Sequence, residues 1–295
     1  MEGINIANYE FYSFIDREPF MTKYKVRDIT TGNEFLAQIY NKSSKWPQIP
    51  MIEEIQRIVQ FSHQSIIKII GYNRFDQKHD KKLTLITEYY DQGSLKNILN
   101  LEQQGISPID WDDTKKLINI YGIASGMSYL HSHGIVHRIL NPLNIFEDEN
   151  FYPKIYNFVF SSHRFEKISQ KKLFSNVEDN IYLAPEILQG NYHYDKSDIY
   201  SFGMIVYLII SGKKPSAEIN DLHSIIAGSR PNMTSDIPKC YSKLISKCWS
   251  QDPSKRPSFN QIINELKNNL GFITDSIDRD EFIEYVKNSQ SKLTE

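Results

Sequence analysis

The hydrophobic pattern of this chain changes character once, near residue 90, and this change restricts the fold more than any other feature. From Phe11 to Tyr90, short β-rich stretches such as KYKV, FLAQIY and LTLITEYY alternate with turn signals and are interrupted by one helical pattern, IPMIEEIQRIVQFS. From Asp113 onward, apolar residues recur at helical spacing in stretches of helical length. The sequence therefore predicts a sheet with one helix, followed by a mainly helical part.

Composition and charge exclude several classes of protein. An apolar content of 40% is ample for a buried core. Because 34 basic and 36 acidic residues leave a net charge of -2, no global field favours nucleic acid or an anionic membrane as a partner. Cys240 and Cys248 form neither a CxxC pair nor a ligand cluster, which argues against a disulfide scaffold or a zinc site.

The N-terminal sequence and the longest apolar run bear on localisation. MEGINIANYE lacks the basic-then-apolar pattern of a signal peptide, and the run MIVYLII is far too short to span a bilayer. We therefore expect a soluble cytoplasmic protein with no membrane or nucleic-acid partner.

Five short motifs follow one another within residues 11–270. HRILNPLNIF begins at His137 and is followed by KIYNFVF, YLAPEIL, KSDIYSFGMIVYLIISGKKP and CWSQDPSKRPSF. In this order they resemble the signatures of protein kinases, and the last motif resembles the tyrosine-kinase-like branch. The resemblance implies a bilobal α+β fold, with a small antiparallel β lobe and one helix at about 11–90 and a larger helical lobe at about 91–270. An N-terminal extension (1–10) and a tail with a possible helix (271–295) flank this domain.

The resemblance also assigns the residues of phosphoryl transfer, and most of the charged ones are missing. Protein kinases use a strand lysine, a helix glutamate, a catalytic aspartate, and an aspartate and asparagine that hold Mg²⁺. Neutral residues stand at the strand-lysine, catalytic-acid, loop-lysine and metal-acid positions, namely Gln38, Ile139, Asn141 and Asn157. The matching residues that remain are Glu54, His137, Arg138 and Asn144.

The phosphate-binding loop is altered as well. SFIDREPFMTKYKV occupies its place with Phe20 at the tip, but Asp16, Glu18 and Met21 replace its three glycines. Phosphate oxygens must approach bare backbone N–H groups there, and side chains oppose that approach. Val159 likewise replaces the glycine of the metal-binding segment. The residues that the resemblance places in a nucleotide pocket, if one exists, are Lys23, Leu36, Gln38, Thr87, Glu88, Tyr90 and Phe146.

Several residues could compensate for these losses. Lys23 could reach phosphates from its strand, although an ordinary solvated lysine is the simpler interpretation. Glu147 or Asp148 could replace the catalytic base, but we expect their turn to face away from the site. Gln38 could hydrogen-bond Glu54 as a neutral copy of the missing ion pair.

Residues that stabilise the kinase fold are retained. By the same resemblance, an apolar spine would consist of Ile58, Ile69, Phe158 and His137, tethered to Asp198. Glu186 and Arg256 match a buried ion pair, which is costly to break singly. Because the fold residues persist while the chemical residues do not, the sequence predicts a pseudokinase.

Three functions stay open at this stage. The favoured one is a catalytically dead signalling scaffold or allosteric partner that binds other signalling proteins, including an active kinase, and needs no cofactor. The second is an atypical protein Ser/Thr/Tyr kinase that uses Mg-ATP with weak residual transfer. The third is a sensor that binds ATP without turnover.

Two further segments have alternative interpretations. Phosphorylation of Ser169 or Ser175 could order the segment SSHRFEKISQKKLFSNVEDN, which the resemblance identifies as the activation segment, through Arg138, although a mobile loop is the simpler interpretation. In the tail, Phe282, Ile283 and Val286 lie on an apolar helical stripe flanked by acidic residues. That stripe would dock on the helical lobe of the same chain or, alternatively, on a partner.

Overall fold

The chain divides after Tyr90 into two units. The described residues of 3–62 and 67–90 form the first unit, and residues 63–66 belong to the second unit together with the described residues of 91–158 and 180–291. The predicted α+β class is confirmed, because the first unit is an antiparallel sheet with one helix and the second is mainly helical. A computed structural model of the chain describes residues 3–17, 21–40, 48–73, 82–158, 180–190, 194–215, 219 and 222–291.

The first unit is built on a five-stranded antiparallel sheet. Its strands and helix are β1 (Tyr9–Arg17), β2 (Met21–Asp28), β3 (Glu34–Tyr40), α1 (Gln48–Ile58), β4 (Ile69–Asn73) and β5 (Thr84–Glu88). Neighbouring strands follow the order β1-β2-β3-β5-β4. In the turn between β2 and β3, the Asp28 carboxylate accepts hydrogen bonds from the amides of Thr30 (2.8 Å) and Thr31 (3.0 Å), and Gly32 adopts a φ of 75°. Aspartate and glycine thus form the turn that the sequence signalled.

The N-terminal segment covers part of the sheet. The Ile4 amide donates to the Tyr72 carbonyl (2.8 Å), and Gly71 permits this approach because a Cβ there would lie 2.3 Å from Cγ2 of Ile4. Residues 4–9 are therefore part of the packing of the first unit. The fully buried residues of this core and the N-terminal residues packed on them are Val26, Ala37, Ile86, Ile4, Ile6 and Tyr9.

Helices dominate the second unit. Asp112 caps the helix Asp113–Ser132 by accepting a hydrogen bond from the Lys115 amide (2.9 Å), and Ser258 and Gln261 form a capping box at the start of the helix Phe259–Asn268. Ser94 directly precedes the helix Leu95–Gln103, and its hydroxyl donates to the Asn97 side chain (2.9 Å) rather than accepting from a backbone amide of that helix. The elements are α2 (Leu95–Gln103), α3 (Asp113–Ser132), β6 (Ile145–Glu147), β7 (Pro153–Ile155), α4 (Pro185–Leu188), α5 (Tyr194–Ser211), α6 (Leu222–Ile226), α7 (Lys239–Cys248), α8 (Phe259–Asn268) and α9 (Arg279–Ser291). Among the helices of the described ranges, none is both long and apolar enough to cross a bilayer.

The segment 63–66 belongs to the second unit, although its neighbours in sequence belong to the first. The Ser65 carbonyl accepts a hydrogen bond from the Ile155 amide (2.8 Å). His63 accepts the Ser65 amide at Nδ1 (3.0 Å), so its Nε2 carries the proton and donates to the Ser125 hydroxyl (3.1 Å). These buried hydrogen bonds tie the segment to α3 and β7.

The C-terminal helix α9 packs along α3. Tyr285 is buried and meets the rings of Tyr121 and Tyr152 edge-on. Tyr152 donates to the Glu281 carboxylate (2.9 Å), which also forms an ion pair with Lys115. The tail helix is therefore docked on the helical unit of its own chain.

Candidate functional site

The loop that begins at His137 is anchored to α5 by one buried carboxylate. Asp198 accepts hydrogen bonds from the backbone amides of His137 (2.7 Å) and Arg138 (2.8 Å), and it contacts His131 Nε2 (2.9 Å). Arg138 has a φ of 69°, a left-handed conformation that is uncommon for arginine. The hydrogen bonds to Asp198 stabilise this strained start of the loop.

His137 links this loop to the segment after β7. Burial lowers the pKa of its imidazole and outweighs the opposing charge of Asp198. The ring is therefore neutral near pH 7, and Nε2 donates a hydrogen bond to the Tyr156 carbonyl (2.9 Å). The Tyr156 amide in turn donates to the Asn144 carbonyl (2.9 Å). The loop and the following segment thus form one hydrogen-bonded unit.

Ile139 and Asn141 occupy the two altered positions of the loop. Ile139 is half-buried, and its carbonyl accepts a hydrogen bond from Asn144 Nδ2 (2.8 Å). The Asn141 side chain accepts hydrogen bonds from the amides of Leu143 (3.0 Å) and Asn144 (3.2 Å) and so caps the 3-10 turn Pro142–Asn144. The Ile139 side chain has no lone pair with which to accept a proton, and Asn141 has a local structural role.

The two asparagines at the metal-binding positions are hydrogen-bonded to each other. Asn157 Nδ2 donates to Asn144 Oδ1 at 3.3 Å. The reverse amide orientation would place two oxygens together, so this assignment is the favourable one. Asn157 has a φ of 69°, which asparagine tolerates better than most residues. Its Oδ1 is buried and has no hydrogen-bond partner among the described residues.

This amide pair fits Mg²⁺-ATP poorly. Mg²⁺ prefers carboxylate and phosphate oxygens, whereas Asn144 and Asn157 offer neutral amides, and the Asn144 oxygen already accepts a hydrogen bond. Within the described ranges, no cluster of three or more His, Cys, Asp or Glu side chains could hold a metal ion. Asn157 Oδ1 is the acceptor of this pair that has no hydrogen-bond partner among the described residues.

The two nearby acids have their own partners in the β6–β7 hairpin. Glu147 is fully buried and accepts a hydrogen bond from Asn119 Nδ2 (3.3 Å) on α3, and burial raises its pKa well above the usual value. Asp148 accepts hydrogen bonds from the amides of Asn150 (3.0 Å) and Tyr152 (2.9 Å). Both carboxyl groups therefore serve the packing of the hairpin.

In the first unit, several residues predicted for a nucleotide pocket are buried or hydrogen-bonded to neighbouring residues. Gln38 is buried on β3, and its Oε1 accepts a hydrogen bond from the Tyr40 hydroxyl (3.1 Å). Glu88 accepts the Tyr90 hydroxyl (2.7 Å) and the Lys68 amide (3.0 Å). Leu36, Thr87 and Met21 are also buried.

Gln38 and Glu54 have different partners. Glu54 on α1 forms an ion pair with Arg57 (2.6 Å), one turn later in the same helix. The hydrogen bond considered between Gln38 and Glu54 is thus replaced by local contacts of each side chain. Lys23 lies directly opposite Gln38 in the β2–β3 register, so both residues are on the same face of the sheet.

The residues assigned to stabilising the fold are buried. Arg256 forms a bidentate ion pair with Glu186, with N–O distances of 2.6 and 2.9 Å. Ile58 and Ile69 are buried in the first unit, and His137 and Phe158 in the second. Phe146 is half-buried and meets the Tyr156 ring edge-on at 5.1 Å. The predicted residues outside the described ranges are Glu18, Phe20, Val159, Ser169 and Ser175.

A cleft that the sequence analysis missed lies within the second unit. Residues of α2, the 3-10 turn Pro142–Asn144 and the turn after α5 line it. Two lysines, Lys96 and Lys214, are among the lining residues. They are more than 100 positions apart, so no local sequence pattern links them. Leu143, an apolar residue within the motif HRILNPLNIF, is 39% exposed and lies among the residues that line this cleft.

The chain is similar to many known protein kinases. The sequence model of the family described as protein tyrosine and serine/threonine kinase matches residues 31–266. R831 of Acanthamoeba polyphaga mimivirus, whose name contains the words serine/threonine-protein kinase/receptor, is 30% identical over 84% of this chain and 14% of its own length.

Two proteins of Dictyostelium discoideum are similar to the same degree. A LIM domain-containing protein whose name contains the words serine/threonine-protein kinase is 32% identical over 82% of this chain and 36% of its own length. The dual specificity protein kinase pyk3 is 30% identical over 81% of this chain and 17% of its own length. The chain therefore spans about a third or less of each of these three relatives.

Proposed function

Because this chain belongs to the protein tyrosine and serine/threonine kinase family, we propose that it is a pseudokinase of that family that acts by binding other signalling proteins. We assign it to the tyrosine-kinase-like branch on its CWSQDPSKRPSF motif, and to the cytoplasm. Its partners in this proposal include an active kinase, and it requires no cofactor.

The observation that carries this proposal is Ile139. A positioned general base contributes about 10² to 10⁴ in rate, and an isoleucine side chain cannot accept a proton. The two acids nearest in sequence that could replace it, Glu147 and Asp148, are held in the β6–β7 hairpin by their own hydrogen bonds. Loss of the base alone would therefore reduce the turnover number from roughly 1–100 s⁻¹ to a small fraction of that value.

Two further changes act in the same direction. Gln38 removes the positive charge that would contact phosphates, and its side chain is buried with Tyr40 as a partner. The Asn157 amide donates to Asn144 where a carboxylate would bind a metal ion. Because parts of a catalytic unit fail together, these losses do not multiply fully, but each one is disabling by itself.

A binding role is supported by the contacts that hold the second unit together. The Glu186–Arg256 ion pair, the Asp198 hydrogen bonds to the loop and the docked α9 helix are all present. Buried ion pairs are costly when one partner is removed, so a chain that keeps both partners keeps its folded second unit. The folded surface is therefore the part of this molecule that we expect to act.

Active protein kinase is the second candidate, and two observations favour it. The relatives reported above carry kinase names. In addition, Lys23 lies opposite Gln38 on the same face of the sheet, which would put a cation close to the position of the missing lysine. Neither observation supplies a base in place of Ile139. Binding of ATP without turnover is the third candidate.

Nucleotide binding and phosphoryl transfer are tested separately. Thermal unfolding is measured with millimolar ATP, with and without Mg²⁺ or Mn²⁺, and we expect no shift in the melting temperature. Phosphate transfer to a broad peptide set is measured in parallel, with Asn144→Ala as a control for background. If the chain transfers phosphate to a peptide and both Lys23→Met and Asn144→Ala abolish this transfer, the active-kinase alternative is correct. If ATP shifts the melting temperature but no phosphate is transferred, the ATP sensor is the correct alternative.

A further inference from the structure

One exposed surface of the second unit lies where α7 meets the segment that joins α8 to α9. The Cys240 thiol on α7 donates to the Gly271 carbonyl at 3.0 Å. Next to it, the rings of Tyr241 and Phe272 meet edge-on, with 4.9 Å between their centroids. The 3-10 turn Leu270–Phe272 is therefore fixed against the first half of α7.

The same segment continues to the start of α3. The Ser276 hydroxyl donates to the Asp113 carboxylate (2.7 Å), and the Asp278 amide donates to the Thr114 hydroxyl (2.9 Å). Both contacts hold the segment at the first turn of α3. The segment thus forms an ordered bridge from α7 on one side to α3 on the other.

Positive charge lies on the α7 side of this surface. Lys239 and Lys243 are exposed and one helical turn apart, so they project from the same side of α7. Lys247, one turn further along, forms an ion pair with Glu265 (2.9 Å). Among the described residues, no carboxylate lies within ion-pair distance of Lys239 or Lys243. These two lysines therefore present positive charge to a partner.

Negative charge lies on the α3 side of the same surface. Residues 275–280 carry three aspartates and one arginine, and Asp275 is exposed. The side chain of Asp113 is 56% exposed and reaches Lys116 of its own helix only at 4.0 Å. Within the described ranges, Asp275 has no ion-pair partner. The α3 side therefore attracts positively charged groups.

An exposed apolar side chain lies between the two charged sides. Leu270 is 69% exposed, although the turn that carries it is fixed against α7 and capped by the Asn269 side chain (3.0 Å to the Gly271 amide). An exposed leucine on an ordered turn is a favourable centre for an interface with a charged rim. We call the following residues together the bipolar surface: Lys239, Lys243, Leu270, Asp113 and Asp275.

We propose that the bipolar surface binds the same surface of a second copy of this chain. A two-fold axis near Leu270 would place the lysines of each copy against the aspartates of the other and would bring the two leucines together at the centre. Charge complementarity selects this occupant, because a partner of one sign would be attracted by one side of the surface and repelled by the other. The inference goes beyond the proposed binding of other signalling proteins.

Sedimentation velocity tests this inference on the purified chain without nucleotide. The chain is measured at a series of micromolar concentrations, at low and at high salt. We expect a reversible equilibrium between monomer and dimer, with the dimer fraction rising with protein concentration. Salt should weaken the dimer, because contacts between exposed charges are screened.

Charge reversal gives the sharpest comparison. Lys243→Glu alone brings acidic sides together and Asp275→Lys alone brings basic sides together. Each variant should therefore weaken its own dimer about tenfold, because the two-fold axis repeats every surface contact twice. In an equimolar mixture of the two variants, both contacts of a mixed dimer again join opposite charges. The mixture should dimerise about as well as the wild type.

Further variants locate the surface. Leu270→Ser should weaken the dimer roughly tenfold through lost apolar contact. Lys287→Glu, which changes an exposed lysine on α9 outside the bipolar surface, should leave dimerisation unchanged. A mixture of Lys287→Glu with Asp275→Lys should not restore the mixed dimer. Thermal melts of all four variants report whether the fold is intact.

Several outcomes would overturn this inference and leave the pseudokinase proposal untouched. They are a wild-type chain that stays monomeric at every concentration, assemblies larger than a dimer, and a dimer that folded Lys243→Glu and Asp275→Lys variants form as well as the wild type does. Failure of the mixed variants to dimerise would equally contradict the pairing of lysines with aspartates across a two-fold axis. Recovery of the dimer in the mixture alone would support it.

Discussion

The hydroxyl oxygens of Tyr285 and Ser65 lie 2.8 Å apart inside the second unit, although the two residues are 220 positions apart in sequence. Gln64 adds a hydrogen bond to the Tyr285 carbonyl (3.2 Å). Gly122 on α3 makes room for this contact, because a Cβ there would lie 2.4 Å from the Tyr285 hydroxyl. Helix α9 thus holds the segment that follows α1 in sequence.

Removing this hydroxyl should destabilise the chain. Tyr285→Phe leaves the buried Ser65 hydroxyl without its partner, and we expect a loss of about 1–2 kcal/mol in the free energy of unfolding. Chemical denaturation measures the effect, and Ser132→Ala on the exposed end of α3 is the matched control. Equal stability of Tyr285→Phe and the wild type would mean that the bond contributes nothing.

Gly122→Ala should cost about 1–3 kcal/mol, because the new methyl group collides with Tyr285 and Pro153. In a Tyr285→Ala background part of that collision is gone, so the same substitution should cost less. A double-mutant cycle from denaturation curves gives the coupling between the two positions. Strict additivity would contradict the close packing of α9 on α3.

Glu147 should make stability depend on pH. Burial raises its pKa in the folded state, so the folded chain holds a proton that the unfolded chain loses above its ordinary pKa near 4.5. The stabilising contribution is complete below that pH and is lost as pH rises toward the folded-state value, by up to about 1.4 kcal/mol per pH unit.

The Glu147→Gln variant should lack this dependence. Its stability relative to the wild type should increase between pH 5 and pH 8, as measured by denaturation at several pH values. Glu149→Gln changes the exposed neighbour and should follow the wild-type curve. Parallel curves for Glu147→Gln and the wild type would show that Glu147 is ionised in the folded chain.

Asn157→Asp should create a dependence on divalent cations. A carboxylate cannot donate to Asn144 Oδ1, so the hydrogen bond becomes a repulsive contact and we expect a loss of about 1–3 kcal/mol. Millimolar Mn²⁺ or Mg²⁺ should recover part of that loss, since the new carboxylate is a suitable ligand.

Thermal melts with and without the cation measure this effect. Asn150→Asp in the exposed hairpin turn should show neither the loss nor the recovery. A wild-type chain that is stabilised by Mg²⁺ to the same extent as Asn157→Asp would contradict the assignment of Asn144 and Asn157 as an amide pair.

Removing one partner of the Glu186–Arg256 ion pair should destabilise the chain more than replacing both partners by uncharged residues. Arg256→Ala leaves a buried carboxylate without its partner and should cost about 3–5 kcal/mol. The double variant Glu186→Gln, Arg256→Met should recover much of that loss. Denaturation curves of the single and double variants decide the matter, and a double variant less stable than Arg256→Ala would contradict this account.

Much of the fold followed from residue types and spacing. The strand patterns KYKV and FLAQIY became β2 and β3, and the turn residues Asp28 and Gly32 form the connection between them. The helix-starting residues were less predictable, because Ser94 precedes α2 but its hydroxyl bonds to Asn97. The preference of serine for helix starts predicts where a helix begins, whereas the hydrogen-bond partner of the serine hydroxyl depends on the surrounding packing.

In the candidate site, residue types could be predicted from the sequence but hydrogen-bond partners could not. The loss of a charged residue at Gln38, Ile139 and Asn157 is visible in the sequence, because each is a change of residue type within a motif. The hydrogen-bond partners of these residues were not predicted. Gln38 bonds to Tyr40 where Glu54 had been considered, since Glu54 is engaged by Arg57 one helical turn away.

By itself, the sequence determined the order of the elements, the α+β class and the chemical character of each motif position, because periodicity and residue type are local properties. Only the tertiary structure decided that Asn157 donates to Asn144, that Ser65 meets Tyr285 and that two distant lysines line one cleft. Such contacts join residues that are far apart in the chain, and they are set by how helices and loops pack rather than by any pattern along the sequence.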